Sequence, residues 1–207
     1  MSAHPADGAV RPVYVVIDAS GSTLRGGFAT ASQRALPQLI DAAAGHPGLQ
    51  MSVLAYGTRA DTLVWLTEPA DIELIPAVTP AGMSSLAAGL RLLADSVRHD
   101  ASRLTADGVR CLPPAVLVLA DGLPTDPAAD LLDARSALDD ALDTAARAAA
   151  DGGPAGPVPV FAAPRDTDPL AVAGLRMTFE PLAAGTGDLA GYVVAIFARL
   201  LAGLSGS

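Results

Sequence analysis

Two unbroken apolar runs constrain this chain more than any other feature: Val13-Tyr-Val-Val-Ile17 and Ala115-Val-Leu-Val-Leu-Ala120. Such runs, without polar alternation and the first built from β-branched and aromatic residues, read as strands buried on both faces, the condition of a parallel sheet covered by helices. Each run stops at an acid. Asp18 follows Ile17 directly, and Asp121 follows Ala120 directly.

The segments around them alternate in kind. A helical stretch is predicted from about Gly27 to Ala44, with Phe28, Ala31, Ala35 and Leu39 on one face. Pro37 lies inside it, so a kink or break is expected there. Gln50–Tyr56 and Thr62–Leu66 read as strands, joined by a link too short for a parallel crossover and therefore antiparallel. Ser85 to about Arg103 reads as a long helix with Leu86, Leu90, Leu93 and Val97 inward, and Thr105–Pro114 as a loop. Pro127 to about Ala150 is predicted helical, followed by a Gly/Pro break at 152–157 and a strand at Val158–Ala162. A short helix near Pro169–Ala173, a strand at Met177–Phe179 and a terminal helix from Asp188 to Leu204 complete the pattern. The fold class implied is a doubly wound α/β sandwich: a mostly parallel central sheet, one antiparallel edge strand, and helices on both faces.

Length and charge narrow the function classes. At 207 residues with 51% hydrophobic content, one ordered domain over 11–204 is expected, after a flexible tail over 1–10. No apolar run reaches the ~20 residues needed to cross a bilayer, and Met1–Gly8 has neither the basic nor the apolar part of a leader. With Cys111 as the single cysteine no internal disulfide can form, which fits a cytoplasmic setting. The net charge is −9 and the 13 basic residues are all arginine. That balance argues against nucleic acid as a partner, and without lysine no Walker phosphate loop is possible.

The chemistry concentrates at the strand ends. Asp18-Ala-Ser20-Gly-Ser22 offers one carboxylate and two hydroxyls at alternating positions, and Asp121-Gly122 adds a second acid. Hard oxygen donors of this kind suit Mg²⁺, with Mn²⁺ or Ca²⁺ as alternatives, and hold zinc or copper poorly. In a doubly wound sheet ligands bind at the carboxyl ends of strands, where strand order reverses. If the strands of Asp18 and Asp121 are neighbours there, their loops meet.

These residues resemble the metal-ion-dependent adhesion site of von Willebrand factor type A (VWA) domains. That family's Asp-x-Ser-x-Ser matches Asp18, Ser20 and Ser22, and its later acid matches Asp121. The middle loop Gly82-Met-Ser-Ser-Leu86 puts Ser84 where the family has threonine, with Ser85 and Thr79 as alternatives. Arg11-Pro-Val-Tyr14, the loop before Leu112-Pro-Pro114 and Asp121-Gly-Leu-Pro-Thr-Asp126 resemble the bacterial stand-alone branch named after TerY. The chain departs from that branch at Thr23, at Pro127-Ala-Ala129 and at Ala163-Pro-Arg-Asp166. The resemblance implies a non-enzymatic, metal-dependent protein-interaction module, with a partner's Asp or Glu completing the shell. It also implies a setting of tellurite or stress resistance, with kinase and phosphatase partners. The loops Thr23–Gly27, Ala81–Ser85 and Leu123–Asp126 are the expected rim.

An enzyme is the competing reading. A strand ending in Asp and a second followed by Asp-Gly also resemble haloacid-dehalogenase-type phosphatases, with Asp18 as nucleophile and Asp121 and Asp126 on Mg²⁺. Such enzymes need a second acid where Ser20 stands, and usually a lysine on the phosphate. His4, His46 and His99 have no neighbouring nucleophile and read as surface residues. Cys111 reads as a partly buried structural thiol, Trp65 as core packing rather than a contact residue, and Asp139, Asp140 and Asp143 as a solvated helix face.

Overall fold

The computed structural model describes residues 8–122, 124–149, 156–164, 167, 177–182 and 188–204. Its strands are β1 (Ala9–Asp18), β2 (Leu49–Tyr56), β3 (Ala60–Thr67), β4 (Arg110–Cys111), β5 (Ala115–Leu119), β6 (Val160–Pro164) and β7 (Thr178–Leu182). Its α-helices are α1 (Phe28–Ala44), α2 (Leu86–Ala106), α3 (Ala128–Ala149) and α4 (Leu189–Leu204). The strands form one sheet in the order β3-β2-β1-β5-β6-β7, with β4 pairing to the start of β1. Every pairing is parallel except β2 with β3. This is the mostly parallel α/β sandwich with an antiparallel edge strand that the alternation of apolar runs predicts.

The pleat of β1 divides the core. Val13, Val15 and Ile17 point into one apolar layer with Leu39 of α1 and Phe197 of α4. Tyr14 and Val16 point into the opposite layer with Leu90 of α2 and Leu138 of α3. Successive strand side chains alternate faces, so a strand apolar at every position must be covered on both. The predicted helix faces hold: Phe28, Ala31, Ala35 and Leu39 are buried in α1, and Leu86, Leu90, Leu93 and Val97 in α2.

Several boundaries and one packing expectation differ. Strand β1 starts at Ala9 rather than Val13, because β4, inside the stretch read as a loop, pairs with Ala9 and Val10. The rest of the expected tail, residues 1–7, lies outside the described residues, as do the expected helix near 169–173 and most of the Gly/Pro break. Strands β6 and β7 each run past their predicted ends, to Pro164 and Leu182. The break expected at Pro37 does not occur. Pro37 lies on the exposed face of α1, where water can satisfy the carbonyl that its missing N–H leaves over. Trp65, expected in the core, is 69% exposed on the edge strand β3, whose alternation buries Val64 and Leu66 instead. Cys111 is buried as expected, and burial pushes its thiol up to about 11. His99, Asp140 and Asp143 are exposed, while His46 and Asp139 are half-buried and His4 lies outside the described residues.

Candidate metal centre

Strands β1 and β5 are direct neighbours, with Ile17 opposite Leu119; from β1 the chain goes to β2 and β3 on one side, and from β5 to β6 and β7 on the other. Asp18 and Asp121 therefore emerge side by side at the carboxyl edge where strand order reverses. Asp18 is only 3% exposed. Its Oδ1 accepts the Ser20 amide at 2.8 Å, and its Oδ2 accepts the Ser84 hydroxyl at 2.9 Å. Ser20 and Ser22 share a hydroxyl–hydroxyl bond of 2.8 Å. Ser20 and Ser84 are buried, Asp121 is half-buried and Ser22 is exposed, so the cluster opens to solvent on the Ser22 side.

The five residues singled out in the sequence thus converge. Burial raises the Asp121 carboxyl above its ordinary range; the Ser22 hydroxyl opposes this and the facing Asp18 carboxylate adds to it. Beneath them Tyr56, at the end of β2, is fully buried, and burial first, then Asp18 and Asp121, push its phenol far up. It forms a neutral floor to the cluster. Helix α2 makes room for its ring at Gly89, where a Cβ would meet the ring carbon Cδ1 at 2.9 Å.

Two carboxylates facing each other among three hydroxyls are a repulsive arrangement that a divalent cation would relieve. The donors are all hard oxygens, as Mg²⁺ requires. Among the described residues no group of three or more His, Cys, Asp and Glu gathers, so a transition-metal site of that composition finds no support there. The residues present fit a hard divalent ion.

The middle loop is held by residues that sequence reasoning did not single out for it. Ala81 N–H donates to the Ala19 carbonyl at 3.0 Å, and Gly21 N–H to the Gly82 carbonyl at 3.0 Å. Gly82 adopts φ +72°, and a Cβ there would collide with Thr58 Oγ1, which accepts the Met83 amide at 3.0 Å. From the β5–α3 loop, the Thr125 amide and hydroxyl both donate to the Ser84 carbonyl, at 2.8 and 2.9 Å. Asp126 accepts from the Ser85 hydroxyl at 2.6 Å and the Ala87 amide at 3.1 Å. Ser85 is therefore the cap of α2, Thr79 is exposed, and Ser84 is the hydroxyl that reaches Asp18. Because both oxygens of Asp126 are engaged at the start of α2, the phosphatase arrangement finds no support. Thr167 was also missed. Among the described residues its buried hydroxyl has no hydrogen-bond partner, and it lies 4.0 Å from where a Cβ would stand on Gly122.

Compared by sequence, the chain matches no protein-family model and no curated protein. Compared by structure, it superposes on a von Willebrand factor type A protein from Catenulispora acidiphila with TM-score 0.63 and 15% identity, over 93% of this chain and 43% of that one. This is a von Willebrand factor type A fold. BatB from Bacteroides thetaiotaomicron shares the VWA-like fold with TM-score 0.62 and 11% identity, over 95% of this chain and 100% of that one. The ArnB paralog VWA2 from Sulfolobus acidocaldarius gives TM-score 0.59 and 12% identity, over 92% and 45%. This chain spans less than half the length of the first and third of these structures.

Proposed function

We propose that this chain is a metal-dependent protein-interaction module whose Asp18, Ser20, Ser22, Ser84 and Asp121 hold a divalent cation, Mg²⁺ first and Mn²⁺ or Ca²⁺ as alternatives. The supporting observation is the convergence of two carboxylates and three hydroxyls from three loops at the switch point between β1 and β5. Asp18 anchors the set from below, fixed through both oxygens. Ser22 and Asp121 present the open side. When bound, such an ion supplies a coordination position that an Asp or Glu of a partner protein completes. With only two acids in the set, the ion is balanced but not over-neutralised, so an open coordination position can take that carboxylate, and no chemical step is needed.

The setting we assign is cytoplasmic, on the single buried Cys111 and on the resemblance to the TerY branch. Among the described residues no helix is long and apolar enough to cross a membrane. The same resemblance supports a role in tellurite or stress resistance beside kinase and phosphatase partners; nucleic acid is not among the partners we assign.

Titration calorimetry with MgCl₂ and MnCl₂ tests the site. Wild type and Ser84→Thr should bind one ion, since threonine keeps the oxygen, while Asp121→Ala should bind at least about tenfold more weakly, about 1.4 kcal/mol. Absence of any metal response in the wild type overturns the reading.

A further inference from the structure

The two loops flanking the metal cluster carry apolar side chains turned to solvent. Leu24 is 65% exposed and Met83 60%, two of the six large hydrophobic residues exposed among the described residues. Neither is a loose surface residue. The Met83 amide is held by Thr58 Oγ1 at 3.0 Å, its predecessor Gly82 is bonded to Gly21, and its successor Ser84 is turned inward onto Asp18. With Ser84 pointing in, Met83 is presented outward by a loop fixed on both sides. Leu24 follows Thr23, which is fully buried and whose hydroxyl donates to the Ser20 carbonyl at 2.7 Å. The Gly21–Gly82 bond joins the two loops, so both side chains border the same opening.

Charge on the rim runs against the molecule as a whole. Arg25 follows Leu24, and Arg59 lies in the turn that closes on Gly57; both are exposed and neither makes a salt bridge among the described residues. The two unpaired cations favour an acidic visitor, and the net charge of −9 that every copy of this chain carries opposes self-association.

We propose that Leu24 and Met83 form an apolar collar that selects what the metal site accepts: a segment of a partner protein in which the docking Asp or Glu has a Leu, Ile, Met or Phe within two positions. The inference rests on the metal reading above and adds the partner's chemical class. A lone carboxylate would leave both side chains in water, whereas an apolar neighbour buries them as the carboxylate seats. Burial of such side chains separates acidic-apolar segments from merely acidic ones by about tenfold or more in affinity.

The probe is a displayed random-peptide library, selected on the immobilised full chain in Mg²⁺ and eluted with EDTA. The enriched sequences should pair Asp or Glu with an apolar residue within two positions. By fluorescence anisotropy, Leu24→Ser and Met83→Ser should each weaken the selected peptide about tenfold. Calorimetry should show their Mg²⁺ affinity unchanged, and melting should be wild-type, since both positions are exposed. Enriched peptides that are acidic without apolar neighbours, peptides indifferent to both variants, or no EDTA-eluted enrichment from a chain that binds Mg²⁺ would each overturn the collar. Mg²⁺-dependent self-association abolished by Glu73→Gln would also overturn it, replacing the foreign partner by the exposed Glu73-Leu74 of a second copy. A wild type that does not bind Mg²⁺ fails earlier, at the metal reading.

Discussion

Asp100 shows how one residue can set a local pH dependence far from the candidate metal centre. It lies on the buried face of α2, and its Oδ2 accepts the Tyr14 hydroxyl of β1 at 3.0 Å. Burial raises its carboxyl; Tyr14, Arg103 and His99 oppose that shift, and Cys111 lies close by. With its folded pKa above the unfolded value, the native state holds the proton more tightly. The contribution of this group to stability is therefore greatest below about pH 4 and shrinks as pH rises through the folded value. At neutral pH the buried carboxylate costs stability. Asp100→Asn keeps an acceptor for Tyr14 and removes the charge, so it should gain on wild type between pH 4 and pH 7. Urea unfolding at the two pH values measures that difference, and a difference that does not change with pH would show that Asp100 titrates alike in both states.

At the scale of elements, the β5–α3 loop and the start of α2 act as one piece. Thr125 takes hold of the Ser84 carbonyl while Asp126 bonds the Ser85 hydroxyl and the Ala87 amide, one of the unpaired donors at a helix N-terminus. The clamp joins the loop that carries Asp121 to the loop that carries Ser84. Asp126→Ala should cost about 1 kcal/mol in chemical denaturation, the usual effect of losing a helix cap. Wild-type stability in that variant would mean Ser85 alone caps α2. The sequence suggests Asp126 as a rim residue or, in the phosphatase reading, a metal ligand, and not as a helix cap. Its role depends on a contact across 41 residues, and no local pattern encodes that.

For the whole molecule, the proposed metal binding is linked to folding, because the five-residue cluster does not exist in the unfolded chain. Asp18 and Ser84 are 66 positions apart and meet only when β1, β5 and α2 are assembled. With free Mg²⁺ at a hundred times its dissociation constant, stability should rise by about 2.7 kcal/mol. In a chain of this length that corresponds to a melting shift of roughly 5–10 °C. Calorimetric scans with Mg²⁺ and with EDTA should show the shift in wild type and about half of it or less in Asp121→Ala. Equal melting temperatures in wild type would contradict the linkage.

The order and kind of most elements are legible in the residues, because apolar runs and helical spacing are local and their burial requirement is nearly independent of partners. The same reading puts an acid at the end of two buried strands, the placement from which the proposal of a hard cation starts. Only the tertiary structure decided that these strands are adjacent, that Ser84 rather than Ser85 or Thr79 faces Asp18, and that Asp126 serves a helix. It alone put Trp65 in solvent and turned the side chains of Leu24 and Met83, in loops already expected at the rim, outward. Each of these turns on which distant segments touch, and that is settled by packing seven strands between helices rather than by any one stretch of residues.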